Sequence, residues 1–94
     1  MAEFFEARLV TPPHVVTRQV DGELVLLNIE NEYYFGLDPV GTRIWEVLSA
    51  SSSIGVGLEQ LRSEFDVEED RLRRDVERLV AKLVDEGLVE LEAD

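Results

Sequence analysis

The 94-residue chain has no cysteine, one histidine and one lysine. Without cysteine there is no disulfide framework, no thiolate metal site and no cysteine nucleophile. One imidazole, His14, with no Asp/Glu cluster at ligand spacing beside it, defines neither a zinc site nor a base–nucleophile pair, so it reads as a structural residue. Positive charge is also scarce: nine Lys and Arg stand against 21 Asp and Glu, a net charge of −12. Nucleic-acid affinity comes largely from cations neutralising phosphates, and this balance opposes it. No apolar run approaches the roughly 18–20 residues that cross a bilayer, and the start, Met1-Ala2-Glu3-Phe4-Phe5-Glu6, lacks a basic signal-peptide region. The expected location is the cytoplasm, with no membrane contact.

What is present divides near Leu37. Before it, the β-rich runs 14–20 and 23–29 flank Asp21-Gly22, a pair that tolerates positive φ and signals a hairpin. A second turn at Glu30-Asn31 leads to a short aromatic strand over residues 32–35, completing a three-stranded antiparallel meander. The third strand is then an edge, with unpaired N–H and C=O groups on one side.

Beyond Leu37 the period becomes helical. Asp38 at the N-cap and Pro39 at the first position open a helix to about Ala50, with Val40, Ile44, Val47 and Leu48 on one face. Residues 51–57 read as a loop, followed by a shorter helix carrying Leu58, Leu61 and Phe65. The third helix is the longest: Asp66 and Glu69 resemble a capping box, and Glu68, Glu69 and Asp70 suit the positive end of its dipole. Leu72, Val76, Leu79, Val80, Leu83 and Val84 form its apolar stripe, Gly87 ends it, and residues 88–91 add an extended tail. The fold class is α+β, in the order βββααα, with a three-stranded antiparallel sheet packed against three helices. Residues 1–13 form an N-terminal extension, 14–91 the domain, and 92–94 an acidic tail.

No motif carries catalysis. The carboxylates fall on solvated helix faces, and Gly55-Val56-Gly57 follows no strand and so does not read as a phosphate loop. The expectation is a protein that is not an enzyme, with no catalytic residue, metal or cofactor. Two groups invite a binding role. Arg71, Arg73, Arg74, Arg78 and Lys82 all lie on the third helix, interleaved with acids, and serve either as i,i+4 partners or as partners of a ligand's charges. Tyr33, Tyr34 and Phe35 follow one another on the edge strand and serve either as core or as a surface that receives an extended peptide.

The run from Leu24 to Leu48, with Tyr33-Tyr34-Phe35-Gly36-Leu37 stepping into a helix that contains Gly41, Ile44 and Trp45, resembles the PqqD-like family of leader-peptide recognition domains. Residues 61–91, ending Glu86-Gly87-Leu88, continue the resemblance, which spans about residues 14–91. The resemblance implies a winged-helix-like, non-catalytic domain that takes the leader of a ribosomally made precursor as an added strand, in a cleft between the third strand and third helix. On this sequence it implies peptide contacts from Glu32, Tyr33, Tyr34 and Phe35 on the strand. From the helix it implies Asp70, Arg73, Arg74, Val76, Glu77 and Val80. A chain of this size is similar to the stand-alone leader-binding B-type proteins of lasso-peptide pathways. The implied partners are a precursor leader, a separate leader peptidase and a cyclase, with the domain itself a monomer or weak dimer. Quinone-cofactor pathways use similar domains and give a second reading as a peptide chaperone.

Two further readings compete. A short helix, a turn and a longer helix also outline a winged-helix DNA-binding regulator. Against that, residues 56–94 hold six basic and 13 acidic side chains, a net of −7. The edge strand could instead pair with a second copy of itself in a structural subunit.

Overall fold

The structure is a computed structural model, and it describes residues 2–93. Helix α1 (Ala2–Glu6) and strand β1 (Arg8–Val10) precede the meander of β2 (Val15–Val20), β3 (Glu23–Asn28) and β4 (Tyr33–Leu37). Helices α2 (Pro39–Ala50), α3 (Ile54–Glu64) and α4 (Glu69–Asp85) follow, and β5 (Glu90–Glu92) closes the chain.

The meander has the order β2-β3-β4, antiparallel throughout, and its register runs from Val15↔Asn28 to Val20↔Glu23 and from Asn28↔Tyr33 to Leu24↔Leu37. The first turn forms as its Asp-Gly pair requires: φ is 52° at Asp21 and 81° at Gly22, the twist that joins two strands through two residues. On β3 the alternation sends Leu24, Leu26 and Asn28 into the core and Val25 and Leu27 to the outer face. The α+β class and the strand-then-helix order are as expected from the sequence.

Helix α2 begins as Asp38 and Pro39 dictate, with Asp38 Oδ1 accepting the Gly41 N–H at 2.7 Å. Helix α3 starts earlier than its sequence implies. Residues 54–57 are helical, capped by Ser53, whose hydroxyl accepts the Val56 N–H at 3.1 Å. Two glycines weaken this turn by propensity, but close packing favours Gly57: a Cβ there would stand 2.6 Å from Leu48 Cδ2. The expected capping box at Asp66 and Glu69 does not form. Glu68 holds the N-cap position without a side-chain bond, and Asp66 lies in the connection before it.

Helix α4 buries Leu72, Val76, Val80 and Leu83, while Val84 is exposed, because its phase carries it past the stripe. The helix ends at Gly87, φ 73°, with the Leu88 N–H returning to Leu83 O at 2.9 Å. His14 Nε2 lies 3.3 Å from Gly87 O and so carries the ring proton that ties β2 to this terminus.

The N-terminal segment is part of the packed domain. Strand β1 pairs antiparallel with β5 (Arg8↔Glu92 to Val10↔Glu90), Ala7 and Leu9 are buried, and Ala7 O accepts the Ile54 N–H at 2.8 Å. The tail residues 88–91 therefore have a strand partner, and Glu92 of the acidic end reaches Arg8 at 2.7 Å. Met1 and Asp94, at the tips of the extension and the tail, lie outside the described residues.

Candidate functional site

The meander has two edge strands, β2 and β4. Among the described residues no strand pairs with the side of β4 opposite β3. Which backbone groups face outward follows from the ladder. In the two-residue hairpin Val20 and Glu23 exchange hydrogen bonds, and Ile29 N–H donates to His14 O at 2.9 Å, so the odd residues of β3 are bonded to β2. The even residues then turn to β4. Leu24 N–H points that way, donating to Thr42 Oγ1 at 2.9 Å, and the same hydroxyl donates to Leu37 O at 3.2 Å. Tyr33, Phe35 and Leu37 therefore direct their backbone groups to β3, and Tyr34 and Gly36 direct theirs to the open edge. Thr42, on α2 and 4% exposed, bridges the end of this strand pair.

Side chains on β4 alternate in the other dimension. Tyr33 and Phe35 pack against the core, whereas Tyr34 is 70% exposed on the outer face beside Val16, Val25 and Leu27. Glu32 is not part of the strand. Its φ of 61° places it in the turn, where Asn28 Oδ1 accepts the N–H groups of Glu30 and Asn31 and Asn31 Oδ1 accepts that of Tyr33.

Between the start of α2 and one flank of α4 lies a groove of about 540 Å³. Its apolar surface comes from Val40, Ile44, Phe65, Val67, Leu72 and Leu79. Its α4 rim is the row Arg71, Asp75, Arg78 and Lys82, spaced to share one helix face. Lys82 links the groove to the edge strand, because its Nζ sits 5.9 Å from the centre of the Phe35 ring. A 2.9 Å bond to Glu86 raises the Lys82 ammonium pKa above its ordinary value. Arg71 and Arg78 share one carboxylate, Asp75, at 3.9 and 3.8 Å. Among the described residues no His, Asp or Glu grouping could hold a metal ion.

The helix residues implied by the resemblance do not gather on this flank. Val76 and Val80 are 0% and 1% exposed and belong to the core. Arg73 lies on the opposite flank with its guanidinium 4.3 Å from the centre of the Phe5 ring, a stacking contact with α1. Asp70, Arg74 and Glu77 are exposed and line no part of the groove. The groove-facing residues of α4 are instead Arg71, Asp75, Arg78, Leu79 and Lys82. The signal that separates the two sets is the helix phase: relative to the buried Leu72 and Val76, the row 71-75-78-82 falls on one side and 73-77-84 on the other. Sequence places both rows beside the core stripe, and only the placement of β4 and α1 distinguishes them.

Comparison with known proteins places this arrangement. The structure matches that of TbiB1 in complex with the TbiA(beta) leader peptide, with a TM-score of 0.80 and 32% identity over 90% of this chain and 99% of that one. It matches a lasso peptide synthetase B1 complexed with the leader peptide with a TM-score of 0.81 and 27% identity, over 89% and 99% of the two chains. No curated protein sequence matches. Residues 23–89, from the start of β3 to just before β5, match the family model described as coenzyme PQQ synthesis protein D (PqqD). The chain therefore belongs to the PqqD family.

Proposed function

We propose that this chain binds the leader segment of a ribosomally made precursor peptide as a strand added to β4, and presents it to a separate leader peptidase or modifying enzyme. The observation that carries this reading is the open β4 edge, with the Tyr34 and Gly36 backbone groups turned outward, beside an apolar groove on α4. Main-chain bonds supply affinity in such an arrangement, and pockets for alternate side chains supply specificity. Two similar structures are complexes with leader peptides, which supports a peptide ligand over a duplex. Both are B1 proteins matched over nearly their whole length, which favours a lasso-peptide pathway over coenzyme PQQ synthesis.

The domain does no chemistry in this scheme. It orders a flexible leader, a cost met by a few anchors, and raises the precursor's effective concentration at the enzyme. The test is a titration of the fluorescein-labelled cognate leader peptide. Saturable binding is expected. Tyr34→Pro removes an outward N–H at an edge position where proline is tolerated, and Val67→Asp places a charge in the groove on a half-exposed residue; both weaken binding while leaving the fold intact. Absent binding, or binding indifferent to both substitutions, refutes the proposal.

A further inference from the structure

Resting on the reading of the β4 edge as a peptide site, we infer that the preferred peptide pairs an apolar anchor with an acidic side chain a few residues away, read by Arg71 and Arg78. The argument begins with where positive charge lies. On a chain of net charge −12, three of nine cations line one groove rim. Other arginines have close partners: Arg43 grips Glu64 through two bonds of 2.8 and 2.9 Å, and Arg8 holds Glu92 at 2.7 Å.

The groove arginines are less well matched. Arg71 and Arg78 divide one carboxylate between them at the outer limit of an ion pair, and their side chains are 71% and 78% exposed. Across the groove, Asp38 is already engaged in capping α2. Lys82 is paired with Glu86 at 2.9 Å, so the positive charge left on the rim is the one unit by which Arg71 and Arg78 exceed Asp75, above an apolar surface that includes Val67 and Leu79. A purely apolar ligand would bring nothing to the guanidinium groups, and a purely acidic one would leave the groove unfilled. A peptide that offers both satisfies the whole site, and an opposing carboxylate forms the charge-assisted, bidentate bonds that guanidinium geometry favours. A basic peptide would meet like charge at the rim, which makes the same residues a filter against wrong partners.

The experiment is a selection of random linear peptides, displayed on their messengers, against the whole protein. The selected peptides are then synthesised with each acidic residue kept or changed to lysine. Enrichment of Asp or Glu at a fixed distance from an aromatic or aliphatic residue is expected. The lysine peptides should bind about tenfold more weakly, and Arg71→Glu/Arg78→Glu protein should reverse the preference. Both substitutions are on exposed helix positions, and circular dichroism verifies that the variant folds. Selected peptides that compete at β4 but show no acidic preference, or an unchanged preference in the double variant, overturn the inference and leave the peptide-site reading intact. A selection that yields no peptide competing at β4 removes both.

Discussion

The hydroxyl of Thr42 joins the β4 edge strand to the rest of the sheet, and its removal tests that linkage. Thr42→Val keeps the side-chain shape and β-branching but leaves the Leu24 N–H and Leu37 C=O without their partner. Both residues are buried, at 3% and 4% exposure, so water does not readily replace the hydroxyl. An unsatisfied buried donor or acceptor costs about 1–3 kcal/mol, and the expected loss for the pair is about 2–3 kcal/mol. For a domain of this size that lowers Tm by roughly 8–24 °C, at about 4–8 °C per kcal/mol. Urea unfolding followed by circular dichroism should show a lower midpoint with unchanged slope, the signature of lost stability without a change in the unfolded state. Thr42→Ser keeps the hydroxyl and loses one methyl, which costs about 1 kcal/mol, so Ser should be more stable than Val. Valine equal to wild type within about 0.5 kcal/mol, or serine less stable than valine, refutes the bridge as a stabilising element.

Three other substitutions probe different links. Gly57→Ala gains about 1 kcal/mol of helix propensity but forces a Cβ to within 2.6 Å of Leu48 Cδ2, on a side chain 1% exposed; a net destabilisation of about 1–2 kcal/mol is expected in urea titration. The double hydrogen bond from Arg43, with a further bond from Gln60, lowers the Glu64 carboxyl pKa to about 2. A carboxylate whose pKa falls on folding stabilises the native state above its unfolded value and loses that contribution as pH drops from about 4.5 toward 2. Arg43→Gln should therefore flatten the stability profile in that window and raise the Glu64 pKa toward the ordinary range, read by carbon-detected NMR titration. Arg73→Gln, which removes the stacking on Phe5, should cost about 0.5–1 kcal/mol of stability and leave leader affinity unchanged, since Arg73 lies on the flank away from the groove.

Local chemistry made much of the fold readable in the sequence. Asp21-Gly22 specifies a two-residue hairpin because both positions accept positive φ, and Asp38-Pro39 specifies a helix start because each satisfies a geometric need within four residues. The aromatic edge strand was visible for the same reason, as was the end of α4 at Gly87. Where the sequence misled, longer-range packing decided. The helical turn at residues 54–57 contradicts glycine's propensity and is held by Leu48 and the Ala7 carbonyl, neither of them local. Asp66 and Glu69 have the spacing of a capping box, but the helix begins three residues beyond Asp66, so that box has no terminus to cap.

The site divides along the same line. Composition determined that this chain has no thiol, one imidazole and few cations, five of them on one helix. Strand phase determined that Tyr34 differs from Tyr33 and Phe35. Only the tertiary structure decided which side of α4 faces the groove, because two rows of residues flank the same buried stripe and the sequence treats them alike. The docking of α1 against Arg73 occupies one row, and the start of α2 frames the other, so the arginines that line the groove are Arg71 and Arg78. That choice belongs to contacts between segments far apart in the chain, which no local periodicity encodes.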